Sequence, residues 1–372
     1  MQKLQSGGPR KIAFVFTSMP VGGAEDFALA AGARLSREFE AHYVCLREYG
    51  RLGEEAKKSG RSVHVVPVFA SRWITPWSVR RFASWLREEN FSLVHSQTYH
   101  AHVFATKAAR LARIPSVVHQ QKTLEKLPWR RGAIFRACLA RASRVVALSP
   151  RTAEDLARTH NVQPGKISVV ANGIEKTSFL PAADRTALRR SLGLPPDGLL
   201  VGTVGRLHPE KSHETTIAAV AEVRRMGASV TAVLVGEGNI RGDLERFARE
   251  SGVSDAIVFT GARRPAVPWF QALDIFVLAS VWEGQPLALL QAVACGIPAL
   301  ASKIEGNTAV LGRDHPGLFA PRDAGSLAEL MIAASRGPEF PAQLRESQTR
   351  VKVPWSEDSA RELAAIYGAL LS

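Results

Sequence analysis

The sequence predicts an α/β protein of two doubly wound domains, each a parallel sheet covered by helices. Short β-branched runs alternate with longer segments of helical periodicity, which is typical of strands joined by crossover helices. This alternation starts again near the middle of the chain. The 372 residues are long enough for two buried cores, and 46% hydrophobic with 22% charged residues is the composition of a globular protein.

The first half contains seven runs that are predicted strands. They are Lys11–Thr17, His42–Leu46, Val63–Val68, Leu93–Ser96, Ser116–His119, Arg144–Ser149 and Ile167–Ala171. Between them, Ala24–Phe39 and Ala101–Ala112 have helical periodicity.

The second half contains six more predicted strands. They are Leu199–Gly205, Thr231–Gly236, Ile257–Gly261, Ile275–Ala279, Pro298–Ala301 and Gly317–Ala320. Between Thr177 and Gly198 lie a Phe-Leu-Pro step, a charged helical stretch and a Leu-Pro-Pro-Asp-Gly turn, which together form a linker. We therefore predict domains at 1–180 and 181–354, and a helix at 355–372 that packs back on the N-terminal domain.

The net charge of +14 is distributed unevenly. Residues 1–190 hold 31 Lys+Arg and 14 Asp+Glu, a net charge of +17, whereas residues 191–372 hold 17 and 20, a net charge of −3. Such a field suits an anionic partner: a nucleic acid, an anionic membrane surface or a phosphorylated acceptor.

The three cysteines, Cys45, Cys138 and Cys295, are far apart and form no CxxC pattern, which argues against a disulfide framework and a structural zinc site. No stretch approaches the roughly 20 apolar residues of a spanning helix, and the first residues lack a signal-peptide pattern. We expect a cytoplasmic protein that would touch a membrane only from its surface, peripherally on the cytoplasmic face of the inner membrane.

A glycine pair, Gly22-Gly23, directly follows the first predicted strand and opens a helix. Glycine lets the backbone approach a ligand closely, and the free amides of a first helical turn favour negative charge. The segment is not GxGxxG, so a dinucleotide fingerprint is absent. An ordinary strand-to-helix turn is the alternative.

The segment from Gly205 and Arg206 to Lys211 occupies the same position at the start of the second domain. The fork of donors on Arg206 and the point charge on Lys211 could converge on a diphosphate. Open α/β sheets bind ligands at the carboxyl ends of their strands, although a solvated basic turn is also consistent with these residues.

Glu283 follows a strand and precedes a Gly-x-Pro turn and a helix. Its carboxylate can accept a bond from a sugar hydroxyl, while the amides near Leu287 and Ala288 can hold a phosphate. Gln291 lies about two turns along the same helix, on the same side.

Together these segments resemble the retaining, GT-B fold glycosyltransferases of family 4, the group 1 glycosyltransferases. The resemblance covers nearly the whole chain. It is carried by Gly22-Gly23, Arg144–Ser149 with its helix, Val170-Ala-Asn172-Gly173-Ile174, Gly205-Arg206 with Lys211, Val235-Gly236-Glu-Gly238, Phe259-Thr-Gly261 and the Glu283 block. It implies two Rossmann-like domains facing across a cleft, with the acceptor on the N-terminal domain and the nucleotide sugar on the C-terminal domain.

The resemblance also implies roles for individual residues. Glu283 would contact hydroxyls of the transferred sugar, and His119, or Gln121 in another register, would lie near the anomeric carbon. The remaining implied positions are the diphosphate site of Arg206, Lys211, Gly23, Leu287 and Ala288, the nucleotide site of Gly205, Arg263 and Gln291, and the acceptor loops of Gly22 and Asn172.

The implied reaction is a metal-independent, retaining hexosyl transfer, with attack from the face on which the phosphate leaves. The co-substrate would be a UDP-, GDP- or ADP-sugar, no further cofactor is expected, and the acceptor would be a cell-envelope glycan or a lipid-linked glycan, as in lipopolysaccharide or exopolysaccharide synthesis. No DxD motif occurs, and no carboxylate pair at glycosidase spacing can be named.

Three positions depart from the family pattern: Gln291 and Ala309 replace glutamates, and Ser212 replaces a glycine. In the family the glutamate matching Gln291 binds the donor ribose, and a glutamine loses the charge-assisted part of that bond. A degenerate, non-catalytic GT-B scaffold is therefore the alternative function.

Arginines are interleaved with apolar residues from Trp129 onward, and we predict a membrane or acceptor patch there. Its residues are Arg130, Arg131, Arg136, Arg141 and Arg144. Trp73 and Trp77 with neighbouring arginines add to it, and an ordinary amphipathic helix with a solvated basic face is the alternative. A nucleic-acid partner is not expected, because no RRM, KH or helix-turn-helix signature accompanies the charge.

Overall fold

The computed structural model describes residues 8–68, 75–120, 128–175 and 182–372. The chain divides into unit 1, which comprises Met1–Ile174 and Pro354–Ser372, and unit 2, which comprises Glu175–Val353. The predicted boundary between residues 180 and 181 lies outside the described residues, as do Trp73 and Gln121.

Unit 1 is built on a parallel sheet in which each strand lies at a predicted run. The strands are β1 (Arg10–Phe16), β2 (Phe39–Cys45), β3 (Val63–Val65), β4 (Phe91–Ser96), β5 (Ser116–Gln120), β6 (Arg144–Ala147) and β7 (Ile167–Val169). Its helices are α1 (Gly23–Gly32), α2 (Gly50–Lys58), α3 (Pro76–Glu88), α4 (Tyr99–Ala112), α5 (Trp129–Arg141), α6 (Pro150–His160) and, after unit 2, α15 (Ser356–Leu371).

The strand order of this sheet is β3-β2-β1-β4-β5-β6-β7, with every pair parallel. Apolar residues of β1 alternate between two cores: Ile12, Phe14 and Phe16 face one, and Ala13 and Val15 face the other. Burial on both faces is the property of a doubly wound sheet. The fold class predicted from the sequence is thereby confirmed for this unit.

One predicted helix of unit 1 is too long. The segment Ala24–Phe39 is helical only to Gly32, and Phe39 begins β2 opposite Arg10. The ring of Phe39 packs edge-on against Tyr367 of α15, with centroids 5.7 Å apart, so Phe39 is a strand residue buried beneath that helix.

The last helix, α15, completes unit 1. The chain returns beside the end of the sheet, where the N–H of Ile174 donates to the carbonyl of Pro354 and the N–H of Ser356 donates to the carbonyl of Ile174, both at 3.0 Å. Only glycine fits at position 173, because a Cβ there would lie 2.4 Å from the carbonyl carbon of Trp355. On α15, Tyr367 is fully buried, with its hydroxyl 2.5 Å from Nδ1 of His95.

Unit 2 repeats the architecture. Its strands are β8 (Leu199–Val204), β9 (Val230–Val235), β10 (Ile257–Gly261), β11 (Ile275–Leu278), β12 (Ala299–Ser302) and β13 (Leu318–Phe319). Its helices are α7 (Arg185–Ser191), α8 (His213–Arg225), α9 (Arg241–Glu250), α10 (Val267–Gln271), α11 (Leu287–Ala294), α12 (Glu305–Leu311), α13 (Ala324–Ser335) and α14 (Glu339–Gln348). The order β10-β9-β8-β11-β12-β13 is again parallel throughout.

Cys45, Cys138 and Cys295 are buried free thiols. Across the four described ranges, no helix combines the length and the apolar character that crossing a membrane requires.

Candidate functional site

The strand order of unit 2 reverses between β8 and β11, which lie side by side. Loops that leave two such strands at their carboxyl ends diverge and leave a crevice, the usual ligand position in open α/β sheets. The loop after β8 carries Arg206 and Lys211, and the loop after β11 carries Glu283. A backbone bond from Val281 N–H to the carbonyl of Glu210, at 2.9 Å, joins the two loops.

An ion pair forms where these loops meet. Nζ of Lys211 lies 2.5 Å from Oε1 of Glu283, and the Oγ of Ser280 donates to the same oxygen at 2.6 Å. The side chain of Lys211 is 23% exposed and that of Glu283 is 9% exposed. A cation and a carboxylate are thus held together, mostly out of water, at the predicted donor site.

The turn that carries Lys211 is tight. Pro209–Lys211 is a single 3₁₀ turn, and Ser212 follows with φ of 47°, in the left-handed region that favours glycine. The Oγ of Ser212 lies 2.9 Å from Oγ1 of Thr215 in the first turn of α8. Serine therefore occupies a glycine-like conformation, with its hydroxyl hydrogen-bonded inside the protein.

Arg206 projects from the same loop and is exposed. Its carbonyl accepts from Nε2 of His213 at 3.0 Å, which fixes the backbone while leaving the guanidinium at the surface. Burial lowers the pKa of His213 to about 4. The imidazole is therefore neutral near pH 7 and carries its proton on Nε2, the nitrogen that faces the carbonyl.

A glycine-rich loop after β9 packs against this segment. A Cβ at Gly236 would lie 1.8 Å from the carbonyl oxygen of Gly205, and one at Gly238 would lie 1.9 Å from that of Leu207. The N–H of Leu207 donates to the carbonyl of Glu237 at 2.9 Å. These contacts require glycine and hold the loop that carries Arg206 in one position.

The first turn of α11 lies directly after the Glu283 turn. Of the two amides predicted to bind phosphate, that of Leu287 donates to the carbonyl of Gln285 at 2.9 Å. The amide of Ala288 makes no hydrogen bond to any described residue. Ala288 therefore offers a helix-terminal N–H, and Gln291, partly exposed, lies one turn further along the helix.

Helix α12 approaches Glu283 from another side. A Cβ at Gly306 would lie 2.4 Å from the carbonyl oxygen of Glu283 and 2.8 Å from its Cβ. Gly306, Ser280 and His213 are not among the residues predicted for the site. Ser280 contacts Glu283 and His213 contacts Arg206 within a single loop, where the folded turn brings each pair together, whereas Gly306 contacts Glu283 from a distant segment of the chain.

Arg263 follows β10 and is exposed, with its guanidinium carbon 5.5 Å from the ring centroid of Trp269. This residue was predicted to face the nucleotide base. In the parts of unit 2 that the structure describes, no His, Cys, Asp and Glu side chains form a group of three that could hold a metal ion.

Three predicted residues of unit 1 lie at turns of its sheet. Gly22 is the extended residue before α1, and Gly23 is the exposed first residue of that helix. Asn172 is 3% exposed and lies two residues before Ile174, where the chain returns from unit 2.

His119 is fully buried in unit 1. Its ring stacks on His95 at 5.3 Å and meets Phe27 edge-on at 5.1 Å, and neither ring nitrogen has a hydrogen-bond partner. Burial lowers its pKa to about 3. In this conformation the imidazole cannot touch a substrate, so a catalytic role would require the ring to move.

The predicted basic patch lies mainly on α5. Its exposed members are Arg130, Arg131, Arg136 and Arg141. Arg144 instead begins β6 and donates to the carbonyl of Gly165 at 2.8 Å. Trp129 is exposed beneath the guanidinium of Arg130, whereas Phe135 and Leu139 are buried, so α5 is amphipathic with a basic, aromatic outer face.

Two family profiles match the sequence. Residues 21–177 match Glycosyltransferase Family 4, and residues 198–336 match Glycosyl transferases group 1. The two matches fall on units 1 and 2 respectively.

Individual proteins give similar matches. The chain is 30% identical over 248 residues to the UDP-Gal:alpha-D-GlcNAc-diphosphoundecaprenol alpha-1,3-galactosyltransferase of Escherichia coli, covering 63% of each. It is 32% identical over 232 residues to the 2-deoxystreptamine glucosyltransferase of Streptomyces kanamyceticus, covering 61% of this chain and 59% of that protein. Both matches span less than two thirds of the relative's own length.

Solved structures match over a longer stretch. The crystal structure of HepE of Anabaena in complex with UDP and glucose superposes with a TM-score of 0.81 over 97% of this chain and 100% of that chain. At 21% identity, this similarity establishes the fold, and the predicted GT-B architecture is confirmed.

Proposed function

Because the chain belongs to the group 1 glycosyltransferases of family 4, we propose that it transfers a sugar from a nucleotide-sugar donor to a lipid-linked or cell-envelope glycan, with retention of configuration. The observation that carries this proposal is the pairing of Lys211 with Glu283 at the switch point of the second sheet. At this point Lys211, which would bind the diphosphate, is hydrogen-bonded directly to Glu283, which would bind a sugar hydroxyl.

Each group of the site has a part in the proposed reaction. Negative charge grows on the diphosphate as the bond between the anomeric carbon and its oxygen breaks. Arg206, Lys211 and the amide of Ala288 are donors for that charge and need no metal ion beside them. On donor binding, Lys211 exchanges its contact with Glu283 for a phosphate oxygen.

Retention follows if the leaving phosphate also acts as the base. The acceptor hydroxyl gives its proton to the departing phosphate oxygen, and the acceptor oxygen bonds to the anomeric carbon on the face from which that oxygen leaves. One bond breaks and one forms on the same face, so the configuration is unchanged. The protein's part is to hold the diphosphate and the sugar in place.

The names of the relatives indicate which donor and acceptor classes are the first candidates. The Escherichia coli relative is named for a UDP-sugar donor and a diphosphoundecaprenol-linked acceptor, and HepE was crystallised with UDP. A UDP-sugar is therefore our first candidate, ahead of a GDP- or ADP-sugar. The charge of +17 on residues 1–190 favours an acceptor with phosphate groups, reached peripherally at an anionic membrane surface.

Calorimetry and a transfer assay test the proposal. UDP-galactose, UDP-glucose, GDP-mannose and ADP-glucose are titrated into the protein, and sugar release is followed with and without a lipid-diphosphate acceptor. We expect micromolar to millimolar binding of one donor class and its loss in Glu283→Ala. The exposed Glu250→Ala on α9 is the matched control. No binding of any donor at millimolar concentration, or an unaffected Glu283→Ala variant, would refute the proposal.

A further inference from the structure

A chain of buried hydrogen bonds lies behind Glu283 and runs from α12 through β12 to the carboxylate. Its members are Asn307, Ser302 and Ser280, each with no exposed surface. None of the three is among the residues predicted for the site.

The first bond of this chain is to the carboxylate itself. Ser280 donates its only hydroxyl proton to Oε1 of Glu283 at 2.6 Å. Oε1 therefore accepts from both Ser280 and Lys211, while Oε2 has no partner among the described residues. The carboxylate is held by one oxygen, and the other is left for a ligand.

The next bonds hold Ser280 in place. The hydroxyl of Ser302 donates to the carbonyl of Ser280 at 2.5 Å. The side-chain amide of Asn307 donates to the carbonyl of Ser302 at 2.9 Å and to its hydroxyl oxygen at 3.1 Å. Each serine hydroxyl thus donates its one proton to a single acceptor. Every donor in the set lies further from Glu283 along the chain of bonds than its acceptor does.

Buried polar groups are costly unless they are hydrogen-bonded. Both hydroxyls and the side-chain N–H donors of Asn307 are bonded and select one arrangement of these residues, whereas Oδ1 of Asn307 has no hydrogen-bond partner among the described residues. Gly306, beside Asn307, lets α12 press against the backbone of Glu283, so both the backbone and the carboxylate are fixed from the same side. A sugar-binding carboxylate works only when its rotamer is locked within a fraction of an ångström.

We propose that Ser280, Ser302 and Asn307 are positioning residues that aim Oε2 of Glu283 at a hydroxyl of the donor sugar. This inference rests on the proposed function, because it assigns the hydroxyl to a nucleotide sugar. It predicts that the three residues affect recognition of the sugar and leave recognition of the nucleotide diphosphate unchanged.

The decisive measurement compares affinities for UDP and for the UDP-sugar that proves active, in the wild type and in Ser280→Ala. We expect the UDP affinity to stay within about twofold and the UDP-sugar affinity and kcat/KM to fall about tenfold. In a Glu283→Gln background the same substitution should change kcat/KM by less than about twofold, since the two residues act as one unit.

Two further variants distinguish a loss of positioning from a general loss of stability. Ser280→Cys preserves the shape with a weaker donor and should fall between the wild type and Ser280→Ala. Ser326→Ala on α13 removes a hydroxyl-to-carboxylate bond of the same 2.6 Å length, to Asp323, and should change only stability.

The outcomes separate the two proposals. If the wild type transfers sugar but Ser280→Ala binds UDP-sugar normally, or loses as much activity in the Glu283→Gln background as alone, the positioning role is wrong. If the wild type neither prefers a UDP-sugar over UDP nor transfers sugar from any donor, the proposed function itself fails.

Discussion

Lys211 and Glu283 lie 72 positions apart in the chain, yet Nζ of one is 2.5 Å from Oε1 of the other. They meet because β8 and β11 are neighbours at the point where the strand order reverses. With 23% and 9% of their side chains exposed, neither charge is fully hydrated, and each is the main neutralising partner of the other.

Removing one charge of this pair should lower the free energy of unfolding more than removing both charges. Lys211→Met leaves a nearly buried carboxylate without its cation, and we expect about 1–3 kcal/mol less unfolding free energy. The double variant Lys211→Met/Glu283→Gln should recover much of that loss, since neither charge remains. Urea unfolding of the two single variants and the double variant measures the coupling, and strict additivity would contradict it.

The approach of α12 to Glu283 gives a second prediction. Gly306→Ala places a methyl 2.4 Å from the carbonyl oxygen of Glu283, so the helix must shift away, and we expect lower thermal stability and weaker UDP-sugar binding. Gly242→Ala on α9 is the control, because a Cβ there meets no atom within 4 Å and alanine is the better helix former. Equal melting temperatures for the two variants would exclude the steric constraint.

Burial of His119 makes stability depend on pH. Its pKa is about 3 in the folded protein and about 6.5 in the unfolded chain, so only the unfolded chain takes up this proton between those values. The contribution of this pKa difference to the free energy of unfolding is complete above pH 6.5. Below that pH it is lost by about 1.4 kcal/mol per pH unit. His119→Leu should abolish that part of the acid loss, measured by urea unfolding from pH 7.5 to 4.5.

The same variant distinguishes the two roles considered for this histidine. Loss of sugar transfer with unchanged UDP binding would show that the imidazole acts on the substrate after a conformational change. Unchanged transfer would show that it is a core residue, stacked between His95 and Phe27.

The sequence was sufficient to predict the fold, because periodicity and burial are local properties. All thirteen strands among the described residues lie at predicted runs, and the parallel order follows from the crossover helices. The end of α1 was predicted too late, because an apolar residue at position 39 fits both the periodicity of a helix and the first residue of a buried strand.

The candidate site was predictable only in part. The residues of each loop could be named from their position after a strand, as for Arg206, Lys211 and Glu283. How these residues are held could not be predicted, because the bonds from Ser280 to Glu283 and from His213 to the carbonyl of Arg206 depend on the folded shape of each loop. The hydrogen bond from the Leu287 amide to the carbonyl of Gln285 likewise depends on the folded turn.

Gln291 is the position at which to test whether donor binding is weakened. Gln291→Glu on α11 would restore a charge-assisted bond to a ribose hydroxyl, and we expect about tenfold tighter UDP binding by calorimetry. Sugar transfer by the unmodified chain would exclude the degenerate scaffold. No gain in UDP affinity would mean that glutamine already suits this site.

The outer face of α5 is the predicted contact with anionic membranes. Replacing Arg130, Arg131 and Arg136 by glutamine should weaken binding to phosphatidylglycerol-containing vesicles by about 1 kcal/mol for each charge, with UDP affinity unchanged. Replacing the exposed Arg225, Arg246 and Arg249 of unit 2 removes the same charge and serves as the control. Equal vesicle affinities in flotation assays for the two triple variants would exclude a specific patch.

The return of the chain to unit 1 at Pro354 has a consequence for synthesis on the ribosome. Unit 2 is one continuous segment, Glu175–Val353, and can close its sheet as soon as it has left the exit tunnel. Most of unit 1 is made before unit 2, yet the faces of Phe39 and His95 that receive Tyr367 stay uncovered until Pro354–Ser372 emerges. Unit 1 therefore begins to be translated before unit 2 but completes its core after unit 2 has been made.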